Sequence, residues 1–252
     1  MQTMEFKWQC YACDQDGYRF SVLVGTVFEN TNIKLRMWFR VIHRMLVSKK
    51  GVSAHQIYRE MGFGSYRTAW SMCMKIRAAL IDEKFRKLMG IVEVDETYIG
   101  GKDKNRHFDK RKHAYGGNND PLKFCVVGAV ERKGSARVLE GIGGYGQLDE
   151  FVRETVSTDV SLIATDEAKG YQPLKRHGFA THSTVNHSEK KYVVGAVHTN
   201  TIEGFWSILK RGVMGTFHKV SRKYLPLYVA EFQFRYNNRL NADIFAEAIR
   251  GC

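Results

Sequence analysis

Three acidic residues stand at the ends or centres of apolar runs in this 252-residue chain. Asp95 lies in Gly90-Ile-Val-Glu-Val-Asp-Glu-Thr-Tyr98, Asp166 closes Ser161-Leu-Ile-Ala-Thr-Asp166, and Glu203 stands in Asn200-Thr-Ile-Glu-Gly-Phe-Trp-Ser-Ile-Leu-Lys210. The first two segments read as strands and the third as a helix. Phosphodiester chemistry puts negative charge on both the attacking and the leaving oxygen. Two divalent cations about 3.5–4 Å apart stabilise both and lower the pKa of the attacking hydroxyl. Magnesium, or manganese in its place, takes oxygen ligands and keeps several waters, so two or three carboxylates suffice. Asp95, Asp166 and Glu203 are therefore the expected ligands of two such ions.

Strand alternation puts Glu93, Asp95 and Thr97 on one face, with Val92, Val94 and Tyr98 on the other. Asp95 is the natural bridging acid, because a central strand holds it still. On the helix, Lys210 follows Glu203 by about two turns and projects from nearly the same face. A cation there can hold a DNA phosphate or orient the nucleophile. Ile202, Phe205, Trp206 and Leu209 make the apolar side of that helix.

Composition bears on the substrate. The net charge is +13 with 44% hydrophobic residues, so the chain can build cores and still present strongly basic surface. Such a surface favours a polyanion, with affinity driven by counterion release; double-stranded DNA is the expected partner. The five cysteines lack the spacing of a disulfide framework, there is no signal-like start, and no apolar run is long enough to span a bilayer. A reducing, cytoplasmic setting near the nucleoid is expected, with no membrane.

The elements that must carry these groups fall into three segments, expected at 1–30, 31–86 and 87–252. The first holds Cys10-Tyr-Ala-Cys13 and Tyr18-Arg-Phe-Ser-Val22, a knuckle turn and short strand like half a zinc ribbon. Tetrahedral zinc takes four ligands, normally two such pairs. The pair therefore reads equally as two thiols in a small β element or as a zinc site completed elsewhere. In the second, Leu35, Trp38, Phe39, Ile42, Met45 and Leu46 recur at helical spacing. Ser53 is the expected N-cap of the next helix and Gly62 its stop. A third helix opens at Ser65-Tyr-Arg-Thr68, with Cys73, Met74, Ile76 and Ile81 as its buried positions. Helix, glycine-containing turn and helix predict a helix-turn-helix whose second helix enters the major groove. Ser65, Tyr66, Arg67 and Thr68 are its exposed leading residues, while Lys75 and Arg77 are placed to reach phosphates. A three-helix bundle without a ligand would look similar.

The third segment has strands over 91–99, 124–130, 136–142, 162–165 and 180–185. Helical stretches are expected over 148–156, 168–177, 200–211 and 224–239. A basic, glycine-containing loop carries Lys102, Lys104, Arg106, Lys110, Arg111 and Lys112 after the first strand, either as a solvated loop or as a DNA-backbone clamp. The element order is that of an RNase H-like α/β domain, a mixed central sheet flanked by helices. His182, His187 and His198 read as loop or surface residues, with His198 beside the cleft; Cys73 and Cys125 read as small core residues.

The motifs Val94-Asp-Glu-Thr-Tyr-Ile-Gly-Gly-Lys102, Thr165-Asp-Glu-Ala-Lys-Gly-Tyr171, His198-Thr-Asn-Thr-Ile-Glu-Gly-Phe-Trp-Ser-Ile-Leu-Lys-Arg-Gly212 and Phe234-Arg-Tyr-Asn-Asn-Arg239 together resemble bacterial insertion-sequence transposases of the DDE superfamily. Within them they are similar to the IS fifteen-ninety-five, ISXO-type group. The likeness runs over nearly the whole chain, including Ser48-Lys-Lys-Gly-Val-Ser53 and Thr68-Ala-Trp70. It implies an RNase H-like catalytic domain with two magnesium ions, a terminal-repeat-binding helix-turn-helix, and strand transfer by a liberated 3′-hydroxyl. It further implies Asp95 and Asp166 as catalytic acids and homo-oligomers on paired ends. The third position is Glu203, favoured for its carboxylate and its spacing to Lys210, or Asn200 one turn earlier. Arg211, next to Lys210, joins the DNA-contacting residues. Relatives tend to begin with a complete zinc ribbon, and only its second cysteine pair is present here.

Two other readings share these features. One keeps the fold but cuts DNA without joining it, or is an inactive remnant of an element. The other is a helix-turn-helix transcriptional regulator, which explains the charge and residues 34–80 but gives no reason for acids at 95, 166 and 203.

Overall fold

The computed structural model describes residues 2–4, 7–12, 18–82, 85–101, 107, 123–141, 145–165, 171, 174, 178–179, 182–184 and 198–252. The chain divides into two compact units, one formed by Met1–Ser48, Val52–Leu80 and Asp243–Cys252, the other by Lys49–Gly51 and Ile81–Ala242.

The first unit opens with a small antiparallel sheet, β1 (Gln2–Met4), β2 (Lys7–Cys10) and β3 (Tyr18–Ser21). Three helices follow: α1 (Leu35–Val47), α2 (Ala54–Met61) and α3 (Tyr66–Ala79). The buried residues of α1 are Trp38, Val41, Ile42, Met45 and Leu46, a stripe at i, i+3, i+4, i+7 and i+8. Phe39 was expected in that stripe, yet it lies at its edge, 39% exposed, edge-on to Phe28 and Phe245. Ser53 caps α2 by accepting from Gln56 N at 3.1 Å. Gly62 ends it with φ 65°, a left-handed conformation that glycine adopts without a Cβ penalty. Ser65 caps α3, accepting from Arg67 N. Ile81, expected in the core, falls beyond the end of α3 and is exposed. The C-terminal helix α7 (Ile244–Arg250), which the periodicity did not reveal, also belongs to this unit.

The second unit is a mixed five-stranded sheet with helices on both faces, an α/β fold. Its strands are β4 (Ile91–Gly100), β5 (Lys123–Glu131), β6 (Ala136–Glu140), β7 (Leu162–Thr165) and β8 (His182–Thr184), in the order β6-β5-β4-β7-β8. The β4–β5 and β5–β6 pairs are antiparallel; β4–β7 and β7–β8 are parallel. Helix α4 (Tyr145–Thr155) leads into β7, and α5 (Asn200–Arg211) runs into a π-helical turn, Gly212–Thr216. Helix α6 (Leu225–Asn237) follows. The predicted strands over 91–99, 124–130, 136–142, 162–165 and 180–185 are all present, their ends agreeing within two residues, with 180, 181 and 185 outside the described residues. Most of the predicted 168–177 helix lies outside the described residues.

Two cores lie on opposite faces of the sheet. Val92 and Val94 of β4, with Val127 and Ala129 of β5, pack on Leu148, Phe151 and Val152 of α4. On the other face Ile99, Val126 and Val130 meet Ile202, Phe205, Trp206 and Leu209 of α5 and Leu225, Val229 and Phe232 of α6. Strand alternation therefore turns Glu93, Asp95 and Thr97 toward the α5 layer. The central strand is covered on both sides, and its acids have to be accommodated beneath a helix.

Candidate functional site

Two carboxylates on one face of one strand meet very different surroundings. Glu93 is fully buried. Its oxygens accept hydrogen bonds from Thr201 N at 2.7 Å, Ile202 N at 3.1 Å and Thr201 Oγ1 at 2.8 Å, all in the first turn of α5. Arg132 Nε donates to it at 2.6 Å from the β5–β6 turn, and the same guanidinium donates to the His198 carbonyl at 3.0 Å. His198 Nδ1 lies 3.2 Å from Glu93 Oε1. The first backbone N–H groups of a helix have no partner inside it and carry the positive end of its dipole. Glu93 satisfies two of them from a neighbouring strand, which fastens the start of α5 to β4.

One strand pleat further, Asp95 is half-exposed. Trp206 Nε1 donates to Asp95 Oδ2 at 3.1 Å. The indole can lie that close to the sheet because Asp95 pairs in register with Gly128 of β5. A Cβ at Gly128 would stand only 2.7 Å from Trp206 Cη2. A glycine beside the acid thus admits the ring that orients the acid.

Asp95, Glu96, Thr97, Glu203, Trp206, Ser207 and Lys210 line one open cleft of about 480 Å³. The helical arithmetic of the sequence holds here: Glu203 and Lys210 face the same space, while Ile202, Phe205, Trp206 and Leu209 are buried behind them. Thr199 Oγ1 donates to Glu203 Oε1 at 3.1 Å, steadying that carboxylate at the helix start. Asn200 is exposed at the first position of α5 and is not among the described residues lining the cleft. Arg211 is exposed, its Nε donating to the Ser207 carbonyl. The second acid of the sequence pattern, Asp166, lies outside the described residues. It follows Thr165, which ends β7 opposite Val94, the residue before Asp95. Among the described residues no three His, Cys, Asp or Glu side chains gather as a metal site.

The other expected contacts divide in the same way. Ser65, Tyr66, Arg67 and Lys75 are exposed on α3 and its cap, and Thr68 is half-buried. Arg77 does not reach outward: it is 1% exposed, with Nη1 donating to Met74 Sδ at 3.9 Å. It falls eight residues after Ala69, on the helix's own buried stripe of Ala69, Met72, Cys73 and Ile76. Lys102, Lys104, Arg106, Lys110, Arg111 and Lys112 lie outside the described residues, as does Cys13; Cys10 ends β2. His182 is not a loop residue. It is buried in β8 with Nε2 2.9 Å from Thr165 Oγ1. Cys73 is fully buried, and burial raises the thiol pKa of the half-buried Cys125. No helix of the described residues is long and apolar enough to cross a membrane.

Sequence reasoning missed the roles of Glu93, Arg132, Trp206 and Gly128. An acid at 93 sharing the strand face of Asp95 was visible, but its helix-capping partners are more than a hundred residues away. A glycine inside the apolar run Phe124–Val130 was the other available signal, since it weakens a strand unless something approaches closely.

With this geometry established, comparison with known proteins places the chain. A protein of Halobacterium salinarum described as an uncharacterized protein in transposable element ISH50 is 27% identical over 234 residues, covering 90% of this chain and 78% of its own length. A family model, the ISXO2-like transposase domain, matches residues 87–237, the span that contains β4, the cleft and α5. The chain belongs to the ISXO2-like transposase family, the IS1595-type group of insertion-sequence transposases.

Proposed function

We propose that this protein binds the terminal repeats of its mobile element, cleaves DNA at the element ends and joins the freed 3′-hydroxyl to target DNA by phosphoryl transfer. The observation that carries the proposal is the single cleft lined by Asp95, Glu203 and Lys210, within the segment matched by the transposase family. Strand and helix residues distant in sequence share one space with a cation beside them, as transfer to and from a phosphate requires.

The donor set suits a hard divalent cation: among the described lining residues it offers carboxylate and hydroxyl oxygens and no thiolate, and the Lys210 ammonium has no lone pair to give a metal. Asp95 and Glu203, together with Asp166, would hold two magnesium or manganese ions, which when bound would stabilise charge on the attacking and leaving oxygens. Trp206 keeps the Asp95 carboxylate in one orientation. Lys210 attracts the phosphate into an otherwise acidic cleft. Glu93 and Arg132 hold the helix that carries Glu203, so that its distance to β4 does not drift. Glu203 is preferred over Asn200 as the third group because it lines the cleft and supplies a charged oxygen.

Around this centre, the second unit is read as an RNase H-like domain, which its three antiparallel strands followed by parallel ones support. The α2–α3 pair is read as a helix-turn-helix that presents Ser65, Tyr66, Arg67 and Thr68 to DNA, with Lys75 on phosphate. Lys102, Arg106, Lys110, Arg111 and Arg211 are assigned to the DNA backbone, and assembly on paired ends as a homo-oligomer is expected. The functional segments are assigned as 1–30, 31–86 and 87–252, although Asp243–Cys252 belongs to the first compact unit.

The test is incubation of the purified protein with duplexes of its element's ends, a target plasmid and Mg²⁺, scored for joined product. Joined product that disappears in Asp95→Asn supports the reading. Cleaved ends without joined product would make the protein a nuclease, and activity that survives chelation would remove the metal mechanism.

A further inference from the structure

Beside the acid cleft lies a second, more enclosed pocket of about 470 Å³, and Lys210 lines both. The two differ in chemistry. The cleft carries Asp95, Glu96 and Glu203, whereas the described lining of the pocket holds no carboxylate. Its walls combine apolar surface from Tyr98, Phe124 and Met214 with the cations Lys219 and Arg222. Arg222 Cζ stands 5.6 Å from the centre of the Phe124 ring. Met214, 71% exposed, projects from the π-helical turn that continues α5. Such turns within helices recur at functional sites. A single helical run thus carries Glu203 and Lys210 at the cleft and Met214 at the pocket.

An aromatic ring beside a guanidinium, with lysines at hand, is the arrangement that stacks a base and holds its phosphate. The volume falls in the range of about 300–1,000 Å³ that encloses one small-molecule-sized group, not a duplex. A nucleotide entering it must therefore leave its base pair. We infer that this pocket takes one unpaired nucleotide of the DNA strand that crosses the acid cleft, its base against Phe124, Arg222 and Met214 and its phosphate on Lys219. The inference rests on the DNA-processing reading of the cleft, and it extends that reading to a substrate subsite.

The experiment measures binding of the full chain, in chelator so that no cleavage occurs, to duplexes of the element's end. One duplex is fully paired; the others carry a single thymine–thymine mismatch stepped through the positions flanking the terminus. At one position the wild-type protein binds the mismatched duplex about tenfold more tightly, the scale of one stacked base whose pairing no longer has to be broken. Arg222→Ala and Met214→Ala, both at surface positions, bring that ratio toward one. Arg211→Ala, on the same helix but outside the pocket, weakens both duplexes and keeps the ratio. A wild-type ratio of one at every position, or a ratio untouched in both pocket variants, overturns the inference; an apolar side chain from a second copy would then be the better occupant. Loss of cleavage and joining with the ratio intact would instead overturn the proposed function and leave the subsite standing.

Discussion

Glu93 and Asp95 are both acidic, stand two residues apart on one strand and face the same helix layer. Glu93 is sealed from solvent, with two backbone N–H groups, a threonine hydroxyl and a guanidinium donating to it. Asp95 opens onto a cleft and has an indole N–H at one oxygen. A carboxylate buried among donors works as a fastening; one that opens onto a cleft is within reach of a ligand. The distance between the two roles is one strand pleat.

The predictions test that division. The largest effect is expected at the open end: Asp95→Asn and Glu203→Gln lower the rate of joined-product formation on the order of 10⁴-fold, the scale of removing one member of a catalytic group that acts as a unit. Their melting temperatures stay close to wild type. A large loss of stability in Asp95→Asn would mean that this acid, too, is a fastening. At the closed end, Glu93→Ala costs about 3–5 kcal/mol in urea unfolding, because it leaves Arg132 and the α5 amides without their acceptor. A cost below about 1 kcal/mol would show that the start of α5 is held by something else.

Gly128→Ala sits between the two. The added methyl meets Trp206, and displacing a buried ring costs about 1–3 kcal/mol, with a fall in activity because Asp95 loses its indole partner. Trp206→Phe keeps much of the packing but removes the hydrogen bond and part of the buried ring, for a loss of about 1–2 kcal/mol and a small change in rate.

The smallest effect is expected at an exposed pair on the first unit, where Arg44 Nε lies 2.8 Å from Glu60 Oε2 and each side chain is about one-third exposed. The Arg44 hydrogen bond holds the Glu60 carboxyl below its usual value of 4.5. Its contribution is therefore present above pH 4.5 and is lost as pH falls through the lower folded-state value. Solvent screening limits that contribution to about 0.2–1 kcal/mol, measured as the pH-dependent difference between wild type and Glu60→Gln. A difference as large as that at Glu93 would contradict the contrast between buried and exposed acids.

Much of this architecture is legible without coordinates where periodicity is strong. The α5 helix was expected over 200–211 and is found there; β7 matches residue for residue, and Ser53 and Gly62 bound α2 as their chemistry requires. These signals are local: a repeat of 3.6 or 2, a capping oxygen, a residue tolerant of positive φ. Arg77 shows where local reading fails. Charge suggested an outward-facing contact, but the helix phase put the residue on the buried stripe. Phe39 and Ile81 failed for related reasons, one at the margin of a stripe and the other past a helix end. Helix α7 escaped notice because seven residues give too short a window for periodicity to register.

Alternation assigns the acids at 93 and 95 the same face and no more; the family resemblance singled out Asp95 but said nothing of what Glu93 does. Residue order alone established the basic character, the strand and helix that bear Asp95 and Glu203, and the phase that aligns Glu203 with Lys210. Which acid would be closed and which open was decided by how α5 seats on the sheet: its first turn lands on Glu93, and its indole comes to rest over Gly128 beside Asp95. That outcome depends on contacts between segments more than a hundred residues apart, and such contacts exist only once burial of the two apolar faces has brought helix and strand together.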